Sequence, residues 1–418
     1  MTPSCALPVL LVIISRALEQ GVTACSGGTR SILTFNSDLS PSSRGYDQRK
    51  SVVPRALAEH AHAGDFMCLQ EVWLESDLRE IIKYVESNFP YHYSALHSAV
   101  SVLSKAPGQQ RRRLFPGVAS TPCNWKLIPF FICYMVKGCS KVADTKSCMV
   151  SECKEFLFNM SRECRSCVAL TSWSFHDILT ICVNIVREDN RINKPGLFIA
   201  SRVPLKSVEY VEFNPDRRVL TERGYIKART QDEQLFICTH LSGQVDSTYG
   251  EVELPYRNYE EQQKNEILNL KSAFSKTPHI LLGDFNTGPE RTGQNALQGE
   301  MSANYALLQT MGHQNPYLRN KGSCTYCSDN PLVAMTNSSR SGSKLIDHIL
   351  TRDVSFDLIS VQRVLDSGVP LSAITASSWM FASTNEGGCR HRLGCIPCFP
   401  GTHMTTGARR LDRTFHST

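Results

Sequence analysis

His279-Ile-Leu-Leu-Gly-Asp-Phe-Asn286 is the stretch on which the fold turns. An apolar run this short, cut off by Asp284 and Asn286, reads as a buried strand rather than a helix. Working outward, the same form recurs at Phe35-Asn36, Leu69-Gln70-Glu71-Val72, Cys238-Thr239-His240-Leu241 and Leu345-Ile346-Asp347-His348. Each is an apolar strand with a polar residue at its end. Strands buried between two helical layers deliver their C-terminal ends to a common edge. Such ends would gather an amide, a carboxylate, an imidazole and an Asp/Asn pair around one pocket.

That inventory suits phosphodiester cleavage. Magnesium prefers oxygen ligands and takes only one or two protein carboxylates, leaving positions for water and a phosphate oxygen. Glu71 can anchor such an ion, Asp284 can orient and deprotonate a water, and Asn286 can hold the phosphate. His240 can hydrogen-bond a phosphoryl oxygen or move a proton. Taken singly, each motif also has an ordinary structural reading, because Asp-x-Asn in a turn commonly caps local backbone groups. The ordered set carries the functional reading.

In this order, Gln-Glu-Val, Thr-His-Leu, Gly-Asp-Phe-Asn and Ile-Asp-His-Ile resemble the successive motifs of the DNase I-like endonuclease/exonuclease/phosphatase superfamily, most of all its neutral sphingomyelinase-type phosphodiesterases. Gly196-Leu-Phe-Ile-Ala-Ser-Arg202-Val-Pro204 resembles the segment between the Glu and His motifs. The resemblance implies an α/β fold: a two-layered β-sandwich flanked by helices, here with a disulfide-rich insertion. It implies Asn36 and Glu71 at a Mg2+ site (Mn2+ being the alternative) and His240, Asp284, Asn286 and Asp347 as catalytic residues. Arg202 and Arg257 are the cations put forward for the substrate. The pattern departs from the family at its end. Val369-Pro370-Leu371-Ser372 runs into Ala373-Ile374-Thr375, where a Ser-Asp-His motif is expected, so the partner of Asp347 is missing. This puts the activity of this chain in question.

Composition sets the outer limits. The 418 residues are 41% apolar and 20% charged, which fits a folded chain rather than a disordered one. A net charge of +6 suits phosphate esters or an anionic surface but falls short of a dedicated DNA binder. Ala6 to Ile14 reads as the core of an export signal within residues 1–24. Of 17 cysteines, eight lie between Cys123 and Cys182, which predicts four disulfides in a secreted protein. A zinc cluster fits less well, since only Cys164 and Cys167 have paired spacing. Cys324 and Cys327 could pair across a tight loop, and Cys68 reads as a buried free thiol. Asn159 and Asn337 sit in glycosylation tripeptides.

Residues 31–372 form the expected catalytic domain, with a cysteine-rich insertion over about 105–190 and an irregular tail over 373–418 in place of the last strand. Trp125, Phe130, Phe131 and Tyr134 read as the insertion's small core, or alternatively as a lipid-facing surface. Arg111 to Arg113 reads as a solvated loop. The best-fitting substrate is a sphingomyelin-type phospholipid at a membrane surface. The alternatives are DNA or RNA cut by a secreted endonuclease, and a catalytically inactive secreted binding protein. The sequence is silent on oligomeric state.

Overall fold

The computed structural model describes residues 29–43, 45–60, 65–96, 122–142, 145–171, 175–183, 192–213, 221–243, 256–274, 277–293, 295–319, 322–330, 342–354, 357–364 and 379–385. All belong to one unit, Gly27–Glu386. The apolar run Ala6–Ile14, Arg111–Arg113, Asn337, the Ser372 junction and the histidines of the far tail lie outside the described residues.

Alternation with period two builds two sheets. The first has strand order β10-β11-β1-β2-β4-β3, from β10 (Asp357–Val364), β11 (Trp379–Asn385), β1 (Thr29–Leu39), β2 (Phe66–Val72), β4 (Phe198–Ser201) and β3 (Tyr91–Ser94). The second runs β5 (Leu205–Glu212), β6 (Gly224–Thr230), β7 (Leu235–His240), β8 (His279–Asp284) and β9 (Asp347–Arg352) in that order. Even-numbered residues of β1, β2, β7 and β8 (Ile32, Phe66, Cys68, Phe236, Cys238, Ile280, Leu282) meet in one core between the sheets. Phe66 stacks on Phe236 across it, with ring centroids 4.1 Å apart.

Odd-numbered residues face outward into helices. Leu33, Phe35, Met67 and Leu69 pack with Val53, Leu57, Leu78 and Ile81 from α1 (Tyr46–His60) and α2 (Glu75–Val85). On the far side Leu235, Ile237 and Leu281 pack with Ile267, Leu270 and Leu308 from α7 (Tyr259–Phe274) and α8 (Ser302–Thr310). The result is the helix–sheet–sheet–helix sandwich expected from the sequence.

The insertion is helical. It comprises α3 (Ile128–Val136), α4 (Thr145–Glu152), α5 (Lys154–Phe158) and α6 (Arg162–Leu170). Its eight cysteines pair as Cys123–Cys164, Cys133–Cys153, Cys139–Cys148 and Cys167–Cys182, the four disulfides predicted. Cys324 and Cys327 also pair.

Two expectations are corrected. Cys68 is not a free thiol: it bonds to Cys238 and joins the two sheets. Both residues occupy inward positions of facing strands, which brings their Cα atoms within 5.6 Å, inside disulfide range. The tail from 373 is not wholly irregular either. Trp379–Asn385 forms β11, paired antiparallel with β1 from Thr29↔Asn385 to Thr34↔Met380 and with β10 on its other side.

Candidate active site

The alternation that builds the core also builds the site. Ile32, Cys238, Leu282 and Ile349 point inward. The next inward positions toward one rim are therefore Asn36, His240, Asp284 and Asp347. Register aligns them: His240 lies beside Asp284 in the parallel β7–β8 pair, and Asp284 lies across from Asp347 in the antiparallel β8–β9 pair. Asn36 is level with Gln70 on β2.

Glu71 breaks the rule. By alternation it belongs with Met67 and Leu69 on the helix side. Its φ of +58° puts it in the left-handed region, which re-aims the carboxylate into the rim. Asn286 (φ +48°) is a second such residue two positions after Asp284. Other non-glycine residues at positive φ, such as Glu233 and Asn295, lie outside the site; at Glu71 and Asn286 the strained backbone coincides with the gathered polar groups. Gly283 is required for a different reason. A Cβ on it would lie 1.9 Å from the Thr239 carbonyl oxygen, so only glycine lets β7 and β8 approach at this point.

The side chains meet closely. Asn36 Nδ2 donates to Asp284 Oδ2 at 2.9 Å and to Glu71 Oε1 at 3.4 Å. Asn36 is itself held by the Asp38 N–H, which donates to Asn36 Oδ1 at 3.0 Å. His240 Nε2 stands 3.5 Å from Asp284 Oδ2 and 3.9 Å from Glu71 Oε1. The Asn286 N–H donates to Asp284 Oδ1 at 2.8 Å, and Asn286 Nδ2 donates to the Leu241 carbonyl at 2.9 Å while lying 3.1 Å from His240 Nε2. Gln263 on α7 braces this turn by donating to the Phe285 carbonyl at 3.0 Å. Asp347 is fully buried, and its N–H donates to Thr325 Oγ1 at 3.1 Å.

Burial sets the electrostatics. Asp284 is pushed well above the ordinary carboxylate range. Desolvation is the main cause and the neighbouring Glu71 adds to it, while hydrogen bonds from Asn36 and the Asn286 N–H act against them. His240 is held well below the ordinary imidazole value by burial and then by the Arg223 guanidinium. Arg223 NH1 lies 2.6 Å from His240 Nδ1. A guanidinium can only donate, so Nδ1 accepts and the proton of the neutral ring is assigned to Nε2. The Asn286 amide nitrogen beside Nε2 offers no acceptor, which leaves Asp284 Oδ2 at 3.5 Å as the nearest acidic oxygen. Arg223 also lies over the Trp73 ring, 5.6 Å from its centroid, and Trp73 Nε1 donates to Glu71 Oε2 at 3.5 Å. Arg223 and Trp73 were not singled out in the sequence. The available signal was that Arg223 immediately precedes β6, whose first residue, Gly224, pairs with His240.

The cations named from the sequence do not join this group. Arg202 follows Ser201, which pairs with Phe66 at the start of β2, so it sits at the opposite end of the sheet from Glu71. There it faces Asp65 at 3.9 Å. Arg257 is highly exposed, and its guanidinium is tied to Glu261 at 3.1 Å. Buried Arg223 is the cation at the rim.

Among the described residues, no group of three or more His, Cys, Asp or Glu side chains has the arrangement of a metal centre. Two buried carboxylates beside a neutral imidazole nevertheless suit a hard divalent cation that keeps most of its waters. Glu71 fits as its protein ligand. Asn36 fits less well as placed, because it turns its amide nitrogen toward the acids and its oxygen toward the Asp38 N–H.

The model of the endonuclease/exonuclease/phosphatase family matches residues 168–383, and the chain belongs to this family. That makes it a member of a phosphoesterase superfamily. No curated protein is matched by the sequence. Among solved structures, the chain is similar to sphingomyelinase C from Streptomyces griseocarneus at 12% identity, with 86% of this chain and 99% of that one covered and a TM-score of 0.43. It is also similar to an endonuclease/exonuclease/phosphatase protein from Beutenbergia cavernae (12% identity, 85% and 71% covered, TM-score 0.44). A third likeness is to beta toxin from Staphylococcus aureus (11% identity, 85% and 99% covered, TM-score 0.38).

Proposed function

We propose that the chain is a secreted, Mg2+-dependent phosphodiesterase that hydrolyses a sphingomyelin-type phospholipid by in-line attack of water. One observation supports this above the others: Glu71 and Asp284 are buried at one rim on either side of the Asn36 amide, with neutral His240 against both. A divalent ion at Glu71 would neutralise charge growing on the phosphoryl oxygens. The remaining roles fall to the protein. Asp284, with its raised proton affinity, accepts a proton from the attacking water. The Asn286 N–H holds one Asp284 oxygen, so the other is aimed at the water. His240 donates from Nε2 to a phosphoryl oxygen, and Arg223 keeps it in that tautomer. Asp347 lies across from Asp284 in the β8–β9 pair. With Ala373-Ile374 standing where the Asp-His of the family motif is expected, the leaving alkoxide takes its proton from water. The six disulfides among the described residues support an oxidising compartment and hence export.

Purified full-length protein with Mg2+ should release phosphocholine from sphingomyelin vesicles and leave plasmid DNA intact. Cleavage of DNA alone would replace the lipid reading with the nuclease one. Turnover of neither substrate would favour a binding protein.

A further inference from the structure

The cysteine-rich insertion carries an apolar surface that its own core does not use. Helix α3, Ile128-Pro-Phe-Phe-Ile-Cys-Tyr-Met-Val136, has no charged residue on any side. Phe130, Phe131 and Tyr134 point into the insertion's core, as expected from the sequence. The opposite face is bare. Trp125, one turn before the helix, is 73% exposed, and Ile128, Ile132, Met135 and Val136 are 56%, 52%, 62% and 78% exposed. These residues recur at intervals of three and four and so form one stripe along the helix. Exposed Phe175 extends the surface sideways, its ring in edge contact with Phe131 at 4.4 Å. A contiguous apolar patch of this kind marks an interaction surface.

Charge identifies what covers it. From Asn88 to Ala143 the chain has no acidic residue, but it has seven basic ones: Lys105, Arg111, Arg112, Arg113, Lys126, Lys137 and Lys141. Over the whole insertion, residues 105–190, twelve basic residues stand against seven acidic ones, so its net +5 makes up most of the +6 of the chain. Of the described lysines beside the helix, Lys137 is paired with Glu152 at 3.0 Å. An apolar stripe set in a basic segment complements a bilayer with anionic headgroups. At nine residues α3 is far too short to cross one, and no described helix is long and apolar enough to do so. Against a bilayer such a helix would lie in the interface.

The insertion is also fastened to the catalytic rim. Trp73, which donates to Glu71, belongs to the insertion's core cluster. Ser40, just past β1, donates to the Leu170 carbonyl at 3.2 Å. Arg162 and Lys194 both pair with buried Glu222, the residue before Arg223, at 3.1 and 2.8 Å. We infer that the exposed face of α3 is a membrane foot: it docks on a bilayer containing anionic phospholipid and fixes the rim of Glu71 and Asp284 relative to the lipid surface.

The inference deepens the lipid reading of the site but is tested apart from it. Full-length protein carrying Asp284→Ala, so that nothing is hydrolysed, is mixed with vesicles of phosphatidylcholine alone or with added phosphatidylserine, and the bound fraction is read by flotation. Binding is expected on the serine-containing vesicles and should weaken as salt rises. Adding Ile132→Asp and Met135→Asp should lower the partition coefficient about tenfold or more without changing the melting temperature, since both side chains are already more than half exposed. Trp125 emission should be quenched by brominated acyl chains, a signal that Trp125→Phe removes. In an otherwise unmodified chain, the Asp pair should spare hydrolysis of a soluble chromogenic phosphodiester. The inference is overturned if the parent chain stays unbound with both vesicle types, or if the Asp pair binds as the parent does. It is equally overturned if the parent is a dimer that the Asp pair makes monomeric, for then the face is covered by a second copy.

Discussion

The sandwich and the insertion solve the same problem, hiding apolar side chains, in opposite ways. The sandwich has enough strands and helices to bury apolar residues on both faces of both sheets, and one set of its buried polar residues meets at a rim. Among the described residues the insertion packs short helices, none longer than nine residues, around a small core that also takes in Trp73. It relies on four disulfides and still leaves one apolar face open. Small units that bury too little surface commonly depend on such cross-links. In the first region the gathered polar groups serve chemistry; in the second an exposed apolar face is available for contact.

The largest expected effect belongs to the sandwich. Gly283→Ala places a methyl group within 1.9 Å of the Thr239 carbonyl and should cost at least about 3 kcal/mol, read as loss of soluble folded protein or a steep fall in denaturation midpoint. An alanine variant of parental stability would show that β7 and β8 do not approach as described. Removing the inter-sheet bond with Cys68→Ala and Cys238→Ala should lower global stability by about 2–5 kcal/mol. Removing Cys139–Cys148, which closes a short loop in the insertion, should disturb the insertion and vesicle binding while the sandwich melts nearly as before. Equal losses at both sites would erase the contrast between the regions.

Arg223→Met should reduce kcat by roughly tenfold to a hundredfold with a smaller change in KM, because it acts on His240 rather than on bound substrate. The 15N shifts of His240 should show Nδ1 gaining the proton, a change that a merely structural arginine would not produce.

The smallest effect is on acid stability. His348 is buried, with Nε2 donating to the Thr287 carbonyl at 2.8 Å, and burial lowers its pKa to about 4; burial and the neighbouring His279 do the same for His313. Both protonate more readily unfolded than folded. Their contribution is therefore full above the unfolded value of about 6.5 and is lost as pH falls toward 4. Asp77, raised to about 6 mainly by burial, and Asp284, raised mainly by burial, oppose them, because their protonated forms favour the fold as pH falls. Buried His240, held below the ordinary imidazole value, acts with His348 and His313. The melting temperature should still fall between pH 6.5 and 4, and His348→Gln should lower it at neutral pH while flattening that slope.

Much of this was legible in the sequence because strand alternation and strand termination are local. His240 and Asp284 end β7 and β8 as expected, whereas Asn36 lies inside β1 and Asp347 begins β9, which reaches the same rim because it runs antiparallel to β8. Glu71 reached the rim for a reason no pattern shows, a positive φ that reverses its face. Cys68 and Cys238 were inward on facing strands, but their separation of 170 residues hid the pairing. Arg202 was misplaced because nearness to a motif in sequence says nothing about which end of a strand a residue occupies. Strand β11 was hidden by the Gly, Ser and Arg residues that surround it. Phe130 and Trp125 received one shared reading although they lie on opposite faces of the α3 segment.

Crystals of the full chain soaked in Mn2+ and measured at its absorption edge test the central claim most directly. One anomalous peak bonded to a Glu71 carboxylate oxygen at about 2.1–2.2 Å, with Asp284 facing it across open space for a phosphate, is the predicted result. A peak elsewhere, or Glu71 and Asp284 found on separate surfaces, would contradict the account.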